Sequence, residues 1–152
     1  MDKSYVLQFA ALEDMSGWME LVDLVKDNFP GFIRDEYVPM LERNIERRSA
    51  LCVKRDGQMA GVLIFSVKSH CLSCMAVHPD HRRRGIGAAL VEKMITLFPQ
   101  DMDIWVSTFR ADDRLGDAPR ALYKKFGFAE DELVMGFGDY PGQKFILRRE
   151  RV

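Results

Sequence analysis

The stretch HPDHRRRGIGAALV, residues 78–91, restricts the fold more than any other part of the chain. Ahead of it, residues 71–77 form an apolar, strand-like run that Pro79, with no amide hydrogen to give, terminates. Behind it, Ile86, Ala89, Leu90, Met94 and Leu97 recur at helical spacing until Pro99 stops the pattern. Residues 103–108 then alternate as a second strand. Strand, helix and strand in this order require a crossover, which makes the two strands parallel neighbours in a mixed sheet.

The rest of the sequence extends that sheet. Residues 5–9 read as a first strand, residues 15–25 place Met15, Met19 and Val22 along one helical face, and a second helix from about Glu36 carries Val38, Leu41 and Ile45. Between the helices, Asn28-Phe29-Pro30-Gly31-Phe32 is a turn cluster. Residues 51–54 and 59–67 form a hairpin across Asp56-Gly57, a dipeptide suited to the positive φ angles of a type I′ turn. Residues 118–126 form a short helix with Asp117 as its cap and Gly127 as its stop, and strands follow at about 133–137 and 144–147. The expected order is βααβββαβαββ, an α/β fold with a mixed central sheet flanked by helices. At 152 residues, with no linker, repeat or low-complexity tract, it is expected to be one domain, 1–152.

The turn at residues 82–88 is built to meet an anion. A glycine-rich passage from strand to helix exposes unpaired backbone amides at the positive end of the helix dipole. Gly85 and Gly87 allow close approach of a phosphate, and Arg82, Arg83 and Arg84 add charge at the same point. A P-loop would need Lys followed by Ser or Thr where Ala88-Ala89 stand, and a dinucleotide fingerprint would need glycine at Leu90. The charge is local, because 22 basic residues face 23 acidic ones for a net −1, which speaks against bulk attraction to nucleic acid or membrane. No segment has the length or apolarity of a membrane span or a secretory leader, and three cysteines are an odd number for a disulfide framework. A cytoplasmic location is expected.

Val77-His78-Pro79 followed by Arg82-Arg83-Arg84-Gly85-Ile86-Gly87 resembles the acetyl-CoA signature R/Q-x-x-G-x-G/A of the GNAT family of N-acetyltransferases. Leu122-Tyr123-Lys124-Lys125-Phe126-Gly127-Phe128 is similar to that family's L-Y-x-x-x-G-F segment, and the element order is the family's own. The resemblance implies a sheet with splayed parallel strands. It implies that the amides of Arg83, Arg84, Gly85, Ile86, Gly87 and Ala88 hold the pyrophosphate of coenzyme A, and that the strand at Met75, Ala76 and Val77 offers backbone groups to the pantetheine arm. It also implies that the region of Phe32, Asp35 and Glu36 borders the amine pocket. Two departures stand out: Gly116 and Pro119 replace an Asn and an Ala that many relatives carry before the tyrosine, and residues 70–75 contain no carboxylate to relay protons from the amine.

Acyl transfer from a thioester to an amine needs a neutral amine, stabilisation of charge on the carbonyl oxygen, and protonation of the departing thiolate. Tyr123 is the candidate general acid, and Asp35 or Glu36 could draw a cationic amine or relay its proton. The reading is therefore an acetyl-CoA-dependent N-acetyltransferase acting directly on an amine, a small molecule or a peptide. The alternative is a non-catalytic acyl-CoA-binding module of the same fold. Cys71, Cys74, His78 and His81 superficially spell a zinc site, but residues three apart on a strand point to opposite faces, so no metal is expected. The same Cys-x-x-Cys does not open a helix, as a redox pair should.

Overall fold

The structure, a computed structural model, describes residues 1–136 and 139–149. Its α-helices and strands follow the expected order: β1 (Val6–Phe9), α1 (Met15–Val25), α2 (Arg34–Glu46), β2 (Ala50–Arg55), β3 (Gln58–Ser66), β4 (Cys71–Val77), α3 (Ile86–Leu97), β5 (Ile104–Phe109), α4 (Asp117–Lys125), β6 (Ala129–Met135) and β7 (Pro141–Leu147). They build one seven-stranded mixed sheet in the order β1-β2-β3-β4-β5-β7-β6, with β4 and β5 parallel. The hairpin turns where expected, with Asp56 at φ 51° and Gly57 at φ 78°.

Each face of the sheet has its own core. Helices α3 and α4 cover one, where Leu63, Leu72, Ile86, Leu90, Met94, Ile104, Val106 and Phe145 pack together. On the other, α1 and α2 lie over β2 to β4, and Trp18, Leu21, Val22, Leu41, Ile45, Cys52 and Ile64 fill the space. The period of 3.6 in the helices and of 2 in the strands places these residues inward. Gly61 on β3 allows α3 to lie close, because a Cβ there would stand 2.5 Å from Ile86 Cγ2. The α1–α2 pair is clipped by Arg34, whose guanidinium donates to both carboxylate oxygens of Asp23 at 2.7 and 2.8 Å.

Several boundaries differ from those expected of the sequence. Helix α2 begins at Arg34 rather than near Glu36, its first turn closed by the amides of Glu36 and Tyr37 on the Ile33 carbonyl, and it runs through Pro39. The cap of α4 is Gly116 and not Asp117. The side chain that caps here is Asp113, which accepts from the Leu115 amide in the preceding 3₁₀ turn. Strand β6 starts at Ala129, four residues before the expected 133, because a bulge between Glu130 and Leu133 breaks the alternation that marks a strand. Phe137 lies outside the described residues.

The two cysteines of β4 do not point to opposite faces as regular alternation would have them. β4 slips by one residue against β3, Phe65 pairing Leu72 and Ile64 pairing Cys74, so Ser73 is an inserted residue. The insertion turns Cys71 and Cys74 to the same face. They diverge along it: Cys71 Sγ lies 3.8 Å from Ser73 Oγ, and Cys74 Sγ lies 3.5 Å from the Tyr37 hydroxyl. Both are free thiols, and among the described residues no group of three or more His, Cys, Asp or Glu is arranged to hold a metal ion.

Candidate active site

The parallel pair β4–β5 is hydrogen-bonded only at its start, through Cys71 with Trp105 and Leu72 with Val106. Beyond those pairs β4 continues to Val77 and β5 to Phe109 without bonding each other. The result is a V-shaped opening in the middle of the sheet. Its β4 side is formed by residues 73–77, whose backbone groups facing β5 lack a strand partner. Its β5 side starts at Ser107. An Arg120 guanidinium buried under α4 holds the far end of β5, donating to the Phe109 carbonyl at 2.8 Å and to Gln143 Oε1 at 2.8 Å. Glu130 neutralises it at 2.5 Å, and the guanidinium lies 4.8 Å over the Phe145 ring.

The arginine and glycine turn leads from the mouth of this opening into α3. Arg82, Arg83, Arg84 and Gly85 are exposed, with Arg83 at φ 62° and Gly85 at φ 79°, the left-handed region that glycine enters at least cost. The hydrogen-bond ladder of α3 opens with the Ala89 amide donating to the Gly85 carbonyl at 3.0 Å. The amides of Ile86, Gly87 and Ala88 precede it and have no acceptor within the helix. Ile86 is buried and anchors the turn against Gly61. A Cβ on Gly87 would meet Leu122 Cδ2 at 3.1 Å, Val77 Cγ2 at 3.9 Å and Met75 Cε at 4.0 Å. The glycine thus keeps α3, α4 and the free edge of β4 close together, and it brings the sequence-predicted residues Met75, Ala76, Val77 and 82–88 to one end of the opening.

Tyr123 sits on α4 behind the same opening. It is 5% exposed, with its ring against Phe128 and Phe145 at centroid distances of 5.8 and 6.3 Å. Burial, and then the nearby Cys74 thiol, raise its phenol above the ordinary tyrosine range, so the hydroxyl stays protonated. Across the opening, the Tyr37 hydroxyl accepts from Trp18 Nε1 at 2.9 Å and reaches Cys74 Sγ. Burial pushes the Cys74 thiol up to about 11 and raises Tyr37 as well, leaving both neutral near pH 7. Trp18, Tyr37 and Cys74 come from three elements far apart in sequence. Phe32 packs on Tyr37 with ring centroids 5.4 Å apart, whereas Asp35 and Glu36 project from the first turn of α2 into solvent.

On the α1–α2 side the sheet is covered only over its first half. Over β5, β7 and β6 a groove of about 440 Å³ remains, floored by Trp105 and Ser107 and walled by Glu132, Val134, Met135 and Lys144. Lys144 Nζ stands 5.2 Å above the Trp105 ring, and Ser107 places the groove next to the opening between β4 and β5.

The fold that carries this V-shaped opening and glycine turn is shared with known proteins. Residues 46–130, more than half of the chain, match the family model described as acetyltransferase (GNAT) domain. The chain belongs to the GNAT acetyltransferase family. Solved GNAT-fold structures align along nearly its whole length. An acetyltransferase of the GNAT family from Bacillus cereus superposes with a TM-score of 0.75 at 20% identity, covering 97% of this chain and 99% of that one. A putative acetyltransferase from Salmonella typhimurium, solved with its cofactor acetyl-CoA, gives 0.75 at 14% identity over 99% and 96%. A curated relative, mycothiol acetyltransferase from a Parafrankia species, is 38% identical over 64 residues, which is 40% of this chain but only 17% of that protein.

Within this GNAT chain, the glycine turn before α3 was legible from the sequence and the side chains that meet beside the opening were not. Glycine and arginine at fixed offsets after a strand carry a local signal. Trp18, Tyr37 and Cys74 meet only through tertiary contacts, and as isolated residues they are indistinguishable from core. The GNAT chain has no helix among its described residues that is long and apolar enough to cross a membrane.

Proposed function

We propose that this chain transfers an acetyl group from acetyl-CoA directly to a primary amine. The observation that carries the reading is the joining of two features at one place: the unpaired β4 edge at residues 73–77 and the glycine turn that opens α3. Gly87 lets Leu122 of α4 pack within reach of Val77 and Met75 of β4, which brings the start of α3 up to the unpaired strand edge along which a pantetheine arm would lie. The amides of residues 83–88, with Arg82, Arg83 and Arg84 around them, would bind the pyrophosphate. Backbone groups of Met75, Ala76 and Val77 would align the arm and polarise the acyl carbonyl.

Acetyl-CoA supplies the activated acyl group. The chain supplies orientation and a proton donor. Tyr123 is the candidate catalytic acid, donating a hydrogen bond to the departing sulfur. Full transfer from a phenol of reference pKa about 10 to a thiolate whose acid is about 8.5 is uphill by roughly 2 kcal/mol, and burial adds to that. The hydroxyl therefore acts while charge is developing on sulfur, not after. The amine would approach over the Trp105 and Ser107 groove, beside Phe32, with Asp35 and Glu36 at the rim attracting it when it is cationic.

The test is an amine panel, small amines and peptides alike, incubated with acetyl-CoA, with free thiol and acetylated product both measured. Acetylated product appearing in step with thiol supports the reading. Binding of coenzyme A with no turnover on any amine would favour a non-catalytic acyl-CoA-binding module, for which the carboxylate-free β4 is the motivating observation. Asp35→Asn with Glu36→Gln should raise the KM of a cationic amine and leave coenzyme A binding unchanged.

A further inference from the structure

His81, which immediately precedes the three arginines, does not share their exposure. It is 3% exposed, at the end of the short 3₁₀ turn Pro79–His81. Both ring nitrogens are engaged by distant parts of the chain. Nδ1 lies 2.8 Å from the Tyr5 hydroxyl, just before β1, and Nε2 lies 3.1 Å from Gln58 Oε1, the first residue of β3. Because the Gln58 oxygen can only accept, Nε2 carries the proton and Nδ1 accepts from Tyr5. The Tyr5 ring meets the imidazole edge-on at 5.6 Å, and the Arg55 guanidinium lies 4.9 Å from the centre of the Tyr5 ring. Burial and the neighbouring Arg55 hold the imidazole below its ordinary pKa, which keeps it neutral.

The position of this side chain gives it a consequence for the turn. Residues 82–85 are held at one end by His81 and at the other by Ile86, buried against Gly61. Between these anchors every residue is exposed, and two of the four have positive φ. A turn of this kind keeps its amides converged only if its stems are fixed, since loose stems restore the conformational freedom that ligand binding must then remove.

We propose that His81 is a positioning residue for the pyrophosphate turn, acting through its paired bonds to Tyr5 and Gln58 and touching no ligand itself. The inference rests on the reading of residues 82–88 as the coenzyme A site. His81→Phe keeps a ring and loses both hydrogen bonds, and Tyr5→Phe loses one of them from a residue outside the turn. Ile45→Val, on the core face of α2, serves as a control for loss of stability alone.

The coenzyme A dissociation constant is measured by calorimetry at 15 °C, and the KM for acetyl-CoA is separated from kcat with any amine that is turned over. The expected result is a dissociation constant and KM raised about tenfold for His81→Phe and severalfold for Tyr5→Phe, with kcat near wild type and the control unchanged. Should His81→Phe not fold, Tyr5→Phe alone decides the matter. Unaltered affinity in the folded variants overturns the proposal and reduces His81 to packing. Wild-type protein that binds no coenzyme A would instead remove the pyrophosphate reading itself.

Discussion

Gly61→Ala tests whether the approach of α3 to β3 fixes the position of the anion turn. The added Cβ would stand 2.5 Å from Ile86 Cγ2 and 3.2 Å from Leu90 Cδ1. Carbon atoms settle at about 3.5–4.0 Å, so the start of α3 must shift by roughly 1 Å or Ile86 must leave its rotamer. Overpacking of this kind costs about 1–3 kcal/mol. For a domain of this size that lowers Tm by about 2–4 °C per kcal/mol. Urea unfolding should show a lower midpoint at unchanged slope, and coenzyme A affinity should fall in parallel because Ile86 is the first residue of the helix whose amides are proposed to bind it. Ile86→Ala alone opens a cavity costing about 2–5 kcal/mol. In the double variant the new methyl group occupies part of that space, so the two effects should sum to at least about 1 kcal/mol less than additivity. Additive losses would refute the contact, and full stability of Gly61→Ala would refute the close approach.

Tyr123→Phe should leave coenzyme A affinity nearly intact and lower kcat on the order of 100-fold, read by steady-state kinetics; near wild-type turnover would make Tyr123 a core aromatic only. The His81 pKa is depressed by folding, so the unfolded chain binds more protons between the folded value and the unfolded 6.5. Stability contributed by neutral His81 is therefore present above pH 6.5 and lost as pH falls through the window below it, and urea midpoints should show that slope in the wild type and a smaller one in His81→Phe. Cys74→Ala removes the sulfur beside Tyr37 and should lower stability more than turnover. A loss of kcat matching that of Tyr123→Phe would place the thiol in the chemistry.

The parallel crossover at residues 71–108 is legible in the sequence because glycine, proline and helical period are local signals. The Asp56-Gly57 turn is equally legible, since its positive φ angles admit few residue types. Departures from regular alternation are not. The inserted Ser73 reverses which face Cys71 shares with Cys74, and the bulge after Glu130 hides the first half of β6. A bulge has no composition of its own. Buried polar side chains are a second blind spot: Arg120, which reaches out to Glu130, and His81, between Tyr5 and Gln58, are residues whose types alone suggest exposure or a loop. The cluster of Trp18, Tyr37 and Cys74 beside the opening is illegible for the same reason, being assembled from α1, α2 and β4 by packing.

One ligand, coenzyme A, is proposed to lie along β4 and to end at the turn before α3. Amide chemical shifts of labelled protein titrated with coenzyme A test it residue by residue. The largest changes are expected at residues 83–88 and 75–77, with small ones on α2 and on β1 and β2 at the sheet edge. Binding that leaves the amides of residues 83–88 unmoved, or that perturbs chiefly the Trp105 and Lys144 groove, would contradict it.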